Sequence, residues 1–321
     1  MAVITDRVLV EKVLADAKDK GCSVALFCTA SPWNNEAILK ACQDFGRKHG
    51  IEHVPVIVGM TGSYRHMQQC KRVTMSHDLK TGFLTILDSL HELAGRKDSP
   101  YYDVLVMPQL DHGDPEADEW IFKYGIEYLA GVMFDCQRFP YEKNVEMTKE
   151  YIKNYGKQVM VESAMEELSV LGHYANENKD ENYVERAVAY MKETGTDFLV
   201  ADLGTEQQST GMNAVYLKDR ARMLTAALGE KKLVLHGVSS LPADQITGLA
   251  DDGIVKVNMW TRIAREAGQY AAAKIKEREE DMAKGVFDAC DPQTYINDAT
   301  TKAVEIMEEH LAYFNYGKLA D

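Results

Sequence analysis

Eight short, nearly continuous apolar runs recur along the 321-residue chain, and most are separated by stretches of helical period. The runs are Ser23 to Phe27, Val54 to Val58, Val104 to Met107, Gly131 to Phe134, Gln158 to Val161, Phe198 to Leu203, Lys232 to Leu235 and Ile254 to Val257. Apolar residues at successive rather than alternate positions suit strands buried on both faces, as a parallel sheet requires. Parallel neighbours need crossovers, and amphipathic stretches supply them: Asn35 to His49, His66 to Leu93, Asp118 to Tyr124, Tyr141 to Asn154, Glu181 to Glu193, Tyr216 to Leu228 and Ala243 to Ala250. In NEAILKACQDFGRKHG, Ile38, Leu39, Cys42 and Phe45 share one face, and Gly50 supplies the stop. An eightfold alternation of this length predicts an α/β fold, a (β/α)8 TIM barrel, with a doubly wound sheet as the alternative.

No Pro/Gly/Ser-rich linker, low-complexity tract or repeat interrupts the pattern, so residues 1–321 are expected to form one domain, with the barrel at about 22–265 and helices at about 266–321. The opening, Thr5 to Lys20, is expected to form a helix under the barrel floor. Arg262 to Lys284 and Pro292 to Phe314 are expected to form terminal helices. The last is rich in Met, Ile, Leu and Tyr and is expected to pack on the barrel or on a second subunit of a homo-oligomer.

A net charge of -14 argues against nucleic acid or an anionic membrane as partner. No apolar run reaches spanning length, and MAVITDRVLVEKVL is charged too early for a signal-peptide core, which predicts a cytoplasmic protein. Cys22, Cys28, Cys42, Cys70, Cys136 and Cys290 show no regular spacing and read as reduced thiols, with Cys28 and Cys136 at strand ends either facing a site or, the favoured reading, packing as small buried residues.

Barrel sites of this kind are built at the C-terminal ends of the strands, where this chain is strongly polar. The candidates are Asn34 after the first run, Ser63 after the second, Asp111 and His112 after the third, Asp135, Gln137 and Arg138 after the fourth, and Glu162 after the fifth. Glu206 and Gln207 follow the sixth, His236, Gly237 and Ser239 the seventh, and Asn258, Trp260 and Thr261 the eighth. His112 and His236 on one rim are the arrangement a divalent metal needs, imidazoles from separate rigid elements with an open position for substrate. Taken alone, Asp111 could equally cap a helix beginning near Pro115. In LHGVSSLP, Gly237, Ser239 and Ser240 either surround an anion such as a phosphate or form a plain turn and N-cap.

Four stretches carry a resemblance, in order: QLDHGDPEADEWIFKYGIEYLAGVMFDCQRFPYEKNVEMTKE, LVADLGTEQQ, LVLHGVSSLPADQI and GIVKVNMWTRI. From about Ala25 to Glu266 the chain resembles the class II, metal-dependent fructose- and tagatose-bisphosphate aldolases. The resemblance implies that Asp111 is the catalytic acid/base and that His112 and His236 are two of the zinc ligands. It also implies that Gly237 and Ser239 hold a ketose phosphate, that Asn258 faces the dihydroxyacetone moiety with Thr261 beside it, and that Glu162 lies near the metal. Lys256 matches a lysine of the same strand, with no sign of a Schiff base.

The departures shape the expectation. The third zinc histidine of the family falls on Gln207, so Gln207 or Glu206 would offer an oxygen ligand, which weakens the site or favours a harder ion than zinc. Val238 and Ser240 replace two glycines of the phosphate loop, and Trp260 replaces an acidic residue that contacts substrate. Glu177 and His173, in LGHYANENKDEN, are the replacements available for the acid of the family's mobile loop. With Asn34 and Ser63 completing the binding rim, the expected function is a metal-dependent aldolase-type lyase. It would act on a sugar or sugar phosphate other than the usual bisphosphate, with zinc or another divalent ion as cofactor. A retro-aldol epimerase and a metal-free sugar-phosphate binding descendant are the alternatives.

Overall fold

The computed structural model describes residues 3–168, 182–209 and 211–320. Eight strands, β1 (Val24–Cys28), β2 (Val54–Thr61), β3 (Val104–Gly113), β4 (Gly131–Phe134), β5 (Met160–Ala164), β6 (Phe198–Val200), β7 (Leu233–Leu235) and β8 (Ile254–Met259), pair in parallel in sequence order. Strand β8 closes on β1 through Val24↔Lys256 and Phe27↔Met259, which makes a TIM barrel. Nearly every strand residue is buried, as continuous apolar runs require.

The helices are α1 (Arg7–Asp19), α2 (Pro32–His49), α3 (Gln69–Arg72), α4 (Leu79–Leu90), α5 (Tyr141–Tyr155), α6 (Tyr183–Thr194), α7 (Lys218–Leu228), α8 (Thr261–Glu277), α9 (Glu279–Ala283), α10 (Phe287–Cys290) and α11 (Pro292–Tyr313). Their ends follow local chemistry. Ser31 caps α2 by accepting from the Asn34 backbone N–H at 3.3 Å, Pro32 occupies the first turn, and Gly50 ends the helix at φ 71°. Arg7 of α1 donates to the Val159 carbonyl at 2.6 Å and to Asp197 at 2.7 and 2.9 Å, which anchors α1 at the barrel floor. Helix α11 packs against α2 and α8. Among the described residues, no helix is long and apolar enough to cross a membrane.

Three expected helices change form. The stretch His66 to Leu93 divides into α3 and α4 because Asp78 accepts from the Thr81 N–H at 2.7 Å and starts a new helix at Leu79. Asp118 to Tyr124 is helical but irregular, a wide turn at Ile121–Gly125 running into a 3-10 turn at Ile126–Tyr128. Ala243 to Ala250 is not a helix: short 3-10 turns, Ala243–Gln245 and Leu249–Asp252, flank Gly248 at φ 79°.

Strand β3 runs six residues beyond its expected end and carries Asp111 and His112 within it. Asp111 is therefore not a helix cap. The turn that follows is closed instead by Asp114, which accepts from the N–H groups of Glu116 and Ala117, each at 2.9 Å.

Side chains two apart on a strand share a face, so Gln109 and Asp111 of β3, and Lys256 and Asn258 of β8, point into the barrel in two layers. The lower layer is closed: Lys256 ion-pairs with Glu162 of β5 and donates to Gln109 at 2.6 Å, while Gln109 donates to Glu162 at 2.8 Å. The upper layer opens at the barrel mouth.

Candidate active site

Strict alternation along β3 would send Asp111 and His112 to opposite faces. The β3–β4 pairing is irregular between Leu110 and Gly113, and His112 takes φ 47°, a left-handed conformation unusual for a side-chain-bearing residue. The irregularity turns His112 toward the mouth beside Asp111, so adjacent residues reach one site.

His112 and His236 are both 4% exposed. The Nδ1–H of His112 donates to Asp135 at 2.8 Å, an acceptor-only carboxylate that fixes the proton there and turns the Nε2 lone pair toward the site. That Nε2 lies 3.1 Å from Nδ1 of His236. Burial alone would lower the His112 pKa, but Asp111 and Asp135 outweigh it and raise it. The positive charge such a pocket favours is also what a divalent ion brings.

Ligand atoms of Asp111, His112 and His236 all lie within 4.8 Å of one another. Two imidazole nitrogens on a tetrahedral zinc at about 2.0–2.1 Å would be roughly 3.3 Å apart, close to the separation here, so the donor set fits a divalent metal. Glu162 and Glu206 stand outside this cluster. Glu162 Oε1 is 3.8 Å from His236 Nε2 but is held in the lower layer; burial would raise its pKa, yet Lys256 and His236 bring it down to about 2. Glu206 uses its backbone N–H to bond Ser240 Oγ at 3.0 Å, which ties the β6 loop to the β7 loop. Gln207 does border the site, and its Oε1 accepts from the Tyr64 hydroxyl at 2.7 Å.

Asp111 is 3% exposed, its Oδ1 accepting from Asn258 Nδ2 at 3.1 Å and its Oδ2 from the Cys28 thiol at 3.5 Å. Burial, then the neighbouring Asp111 charge, pushes the Cys28 thiol well up, so it stays protonated and donates. Asn258 Oδ1, His236 Nε2 and Gln207 Nε2 are buried and have no hydrogen-bond partner among the described residues, three polar atoms on residues that border one cavity of about 60 Å³. Buried polar atoms of this kind call for a ligand.

The same cavity is bordered by Gly237, Ser239, Trp260 and Thr261. Gly237 sits at φ 69°, and a Cβ there would meet the Glu206 carbonyl oxygen at 2.8 Å, so glycine is required. Ser239 Oγ accepts from the Arg262 N–H at 3.1 Å, which joins the β7 loop to the start of α8, the quarter where TIM barrels commonly hold phosphate. Ser63 borders a second cavity of about 250 Å³ on the other side of His112. Asn34 joins neither cavity: its Oδ1 accepts from Ala30 N–H at 3.2 Å and Ser31 Oγ at 2.9 Å and closes the β1–α2 turn. Glu177 and His173 lie outside the described residues.

Four further residues support these groups; Asp135 and Cys28 already stand out at strand ends, whereas Gln109 and Tyr64 escape a reading by residue type. Asp135 orients His112, Cys28 bonds Asp111, Gln109 completes the lower layer, and Tyr64 stacks on His112 with ring centroids 4.2 Å apart. Asp135, directly after VMF, carried the clearest signal.

A TIM barrel that gathers two imidazoles and a carboxylate at its C-terminal mouth offers a donor set that fits a divalent metal, the equipment of a metal-assisted enzyme. The family model for class II fructose-bisphosphate aldolase matches residues 8–318, and the chain belongs to that family. It is 27% identical over 318 residues to the fructose-bisphosphate aldolase of Streptococcus pneumoniae serotype 4, covering 95% of this chain and 96% of the relative. Its fold is similar to that of the Campylobacter jejuni fructose-bisphosphate aldolase, at 15% identity and TM-score 0.72, covering 98% of this chain and 96% of that one. The YdjI aldolase of Escherichia coli K12 is also similar, at 18% identity and TM-score 0.65, covering 97% of each chain. The chain is an aldolase-type lyase of a metal-dependent family.

Proposed function

We propose that this lyase cleaves or forms a carbon–carbon bond in a ketose phosphate other than the usual bisphosphate, with a divalent ion held by His112 and His236. The observation that carries the reading is the convergence of His112 Nε2, His236 Nδ1 and the Asp111 carboxylate at the mouth. An ion bound there supplies positive charge that polarises a ketose carbonyl. Asp111, steadied by Asn258 and Cys28, moves the proton of the C4 hydroxyl, as base in cleavage and acid in condensation. Asn258 Oδ1 accepts from a substrate hydroxyl, and Gly237, Ser239 and Thr261 hold the phosphate. Lys256 is committed to Glu162 and Gln109 and forms no Schiff base.

Gln207, steadied by Tyr64, offers an amide oxygen where the family has a third histidine, which supports zinc bound weakly or a harder ion in its place. The bulk of Trp260 beside Asn258 supports a changed substrate. We take residues 1–321 as one domain, acting in the cytoplasm as a homo-oligomer; exposed Val286 and Phe287 near the terminal helices support the assembly. A retro-aldol epimerase would use the same groups.

The test is metal content of the purified protein, with aldehyde release from a panel of ketose phosphates before and after chelation. Stoichiometric metal and chelator-sensitive release are expected. Tight ketose-phosphate binding with neither metal nor release would favour the metal-free binding reading, for which Gln207 is the supporting substitution.

A further inference from the structure

We propose that the larger cavity receives the aldehyde half of the substrate and selects an uncharged, hydroxylated aldehyde over a phosphorylated one. The inference rests on the aldolase reading above.

His112 and Tyr64 form a shared wall between the two cavities. The smaller holds Asp111, Asn258 and the Gly237–Ser239 loop, the groups that take the ketose-phosphate half. A bond broken at Asp111 and His112 leaves the other fragment on the opposite side of that wall. The cavity there, about 250 Å³, has room for a small aldehyde.

Among the described residues, its lining carries two guanidiniums, Arg65 and Arg138, and three carboxylates, Asp114, Asp135 and Glu167. Both arginines are already matched. Arg65 ion-pairs with Glu167 and donates Nε–H to His66 at 2.8 Å. Arg138 reaches Asp114 at 3.0 Å and Glu116 at 2.6 Å. A phosphate dianion would have to break these pairs and then face the carboxylates they release, so like-charge repulsion opposes it. Hydroxyl groups need no such exchange, because the same side chains keep donor and acceptor positions for neutral partners. Gln137 shows the mixed character: it donates to Asp135 at 2.8 Å, and its Oε1 accepts from the Leu168 N–H at 3.1 Å.

The experiment runs the condensation with dihydroxyacetone phosphate as donor and compares glyceraldehyde with glyceraldehyde 3-phosphate by kcat/KM. In parallel, solvent deuterium exchange into the donor is followed by NMR; it requires no aldehyde and reports the aldolase reading by itself. Exchange should be present, and kcat/KM should favour the neutral aldehyde at least tenfold. Glu167→Gln should narrow that ratio several-fold, and Glu167→Lys should narrow it further; Glu167 is half exposed, so both variants should fold. Preference for the phosphorylated aldehyde in the wild type, or a ratio unmoved in both variants, overturns the inference while the exchange signal leaves the aldolase reading standing. Absence of exchange overturns both.

Discussion

Nε2 of His112 and Nδ1 of His236 face each other at 3.1 Å across the mouth of the barrel. Two lone pairs cannot sit that close unshielded, so a proton or a cation must lie between them. A metal ion would displace that proton, and affinity should fall as pH drops. His112→Ala or His236→Ala is expected to abolish metal retention through gel filtration, read by elemental analysis. Stoichiometric metal in the double variant would place the site elsewhere.

Asp111 acts on a proton in flight, so its replacement should affect turnover more than binding. Asp111→Asn is expected to lower kcat by about two orders of magnitude or more, with KM changed far less. The amide keeps the size of the carboxylate and one acceptor for Asn258, which protects the fold. Near-normal kcat in steady-state assays would leave Asp111 with only a structural part.

How far the sequence carried this reading depended on whether position alone specifies direction. The strands were plain because Val24 to Cys28 and its counterparts are buried on both faces, which leaves an uninterrupted apolar signature. His236 and Asn258 were found because they stand at ends of such runs. Asp111 and His112 were expected together at the mouth from their place after the third run and from the resemblance; what alternation does not foretell is the device that lets two neighbours share it, the irregular pairing before Gly113. Tyr64 acts through a contact made in space with His112, 48 positions away along the chain, and no local pattern encodes such a contact. The helix expected over Ala243 to Ala250 failed because Gly248 interrupts it.

The lower layer predicts an asymmetric cost. Removing one partner of a buried ion pair leaves the other charged and unmatched, which costs about 3–5 kcal/mol. Lys256→Met should therefore destabilise the protein strongly, and adding Glu162→Gln should recover part of the loss. Chemical denaturation of both variants reads this, and no recovery in the double variant would show that packing, not charge, sets the cost.

His310 supplies a pH signature remote from the chemistry. Its Nδ1–H donates to the Ile306 carbonyl at 2.7 Å and its Nε2 accepts from Arg262 at 3.2 Å, which joins α11 to α8. Burial pushes its pKa down from 6.5 to about 4, Arg262 acting in the same direction and the Ile306 carbonyl against it. Because the folded value is depressed, the stabilisation is complete above about pH 6.5 and is lost as pH falls toward 4. At about 1.4 kcal/mol per pH unit, the span is on the order of 3 kcal/mol. Tm should fall over that window, and His310→Gln should flatten the fall. An equal slope in the variant would assign the acid sensitivity to other groups.

Trp260 is expected to set substrate choice, and its position has two sides. Strand β8 ends at Met259 and the backbone at Trp260 turns to φ -141°, ψ -56°, so simple alternation from Asn258 does not apply to it. The indole packs partly on the core, yet it borders the same cavity as Asn258 and Thr261. A flat apolar wall there suits a C–H face and offers no partner to a hydroxyl or a second charged group. Trp260→Asp should therefore lower kcat/KM on the native substrate and raise it on fructose bisphosphate, shifting their ratio by one to two orders of magnitude, the scale of a lost or gained hydrogen-bonded contact of about 1.4–3 kcal/mol. Both compounds should be measured in both proteins. If the ratio stays constant while stability drops, Trp260 belongs to the core side of the wall, and selectivity is set instead across His112, among Arg65, Arg138 and Glu167.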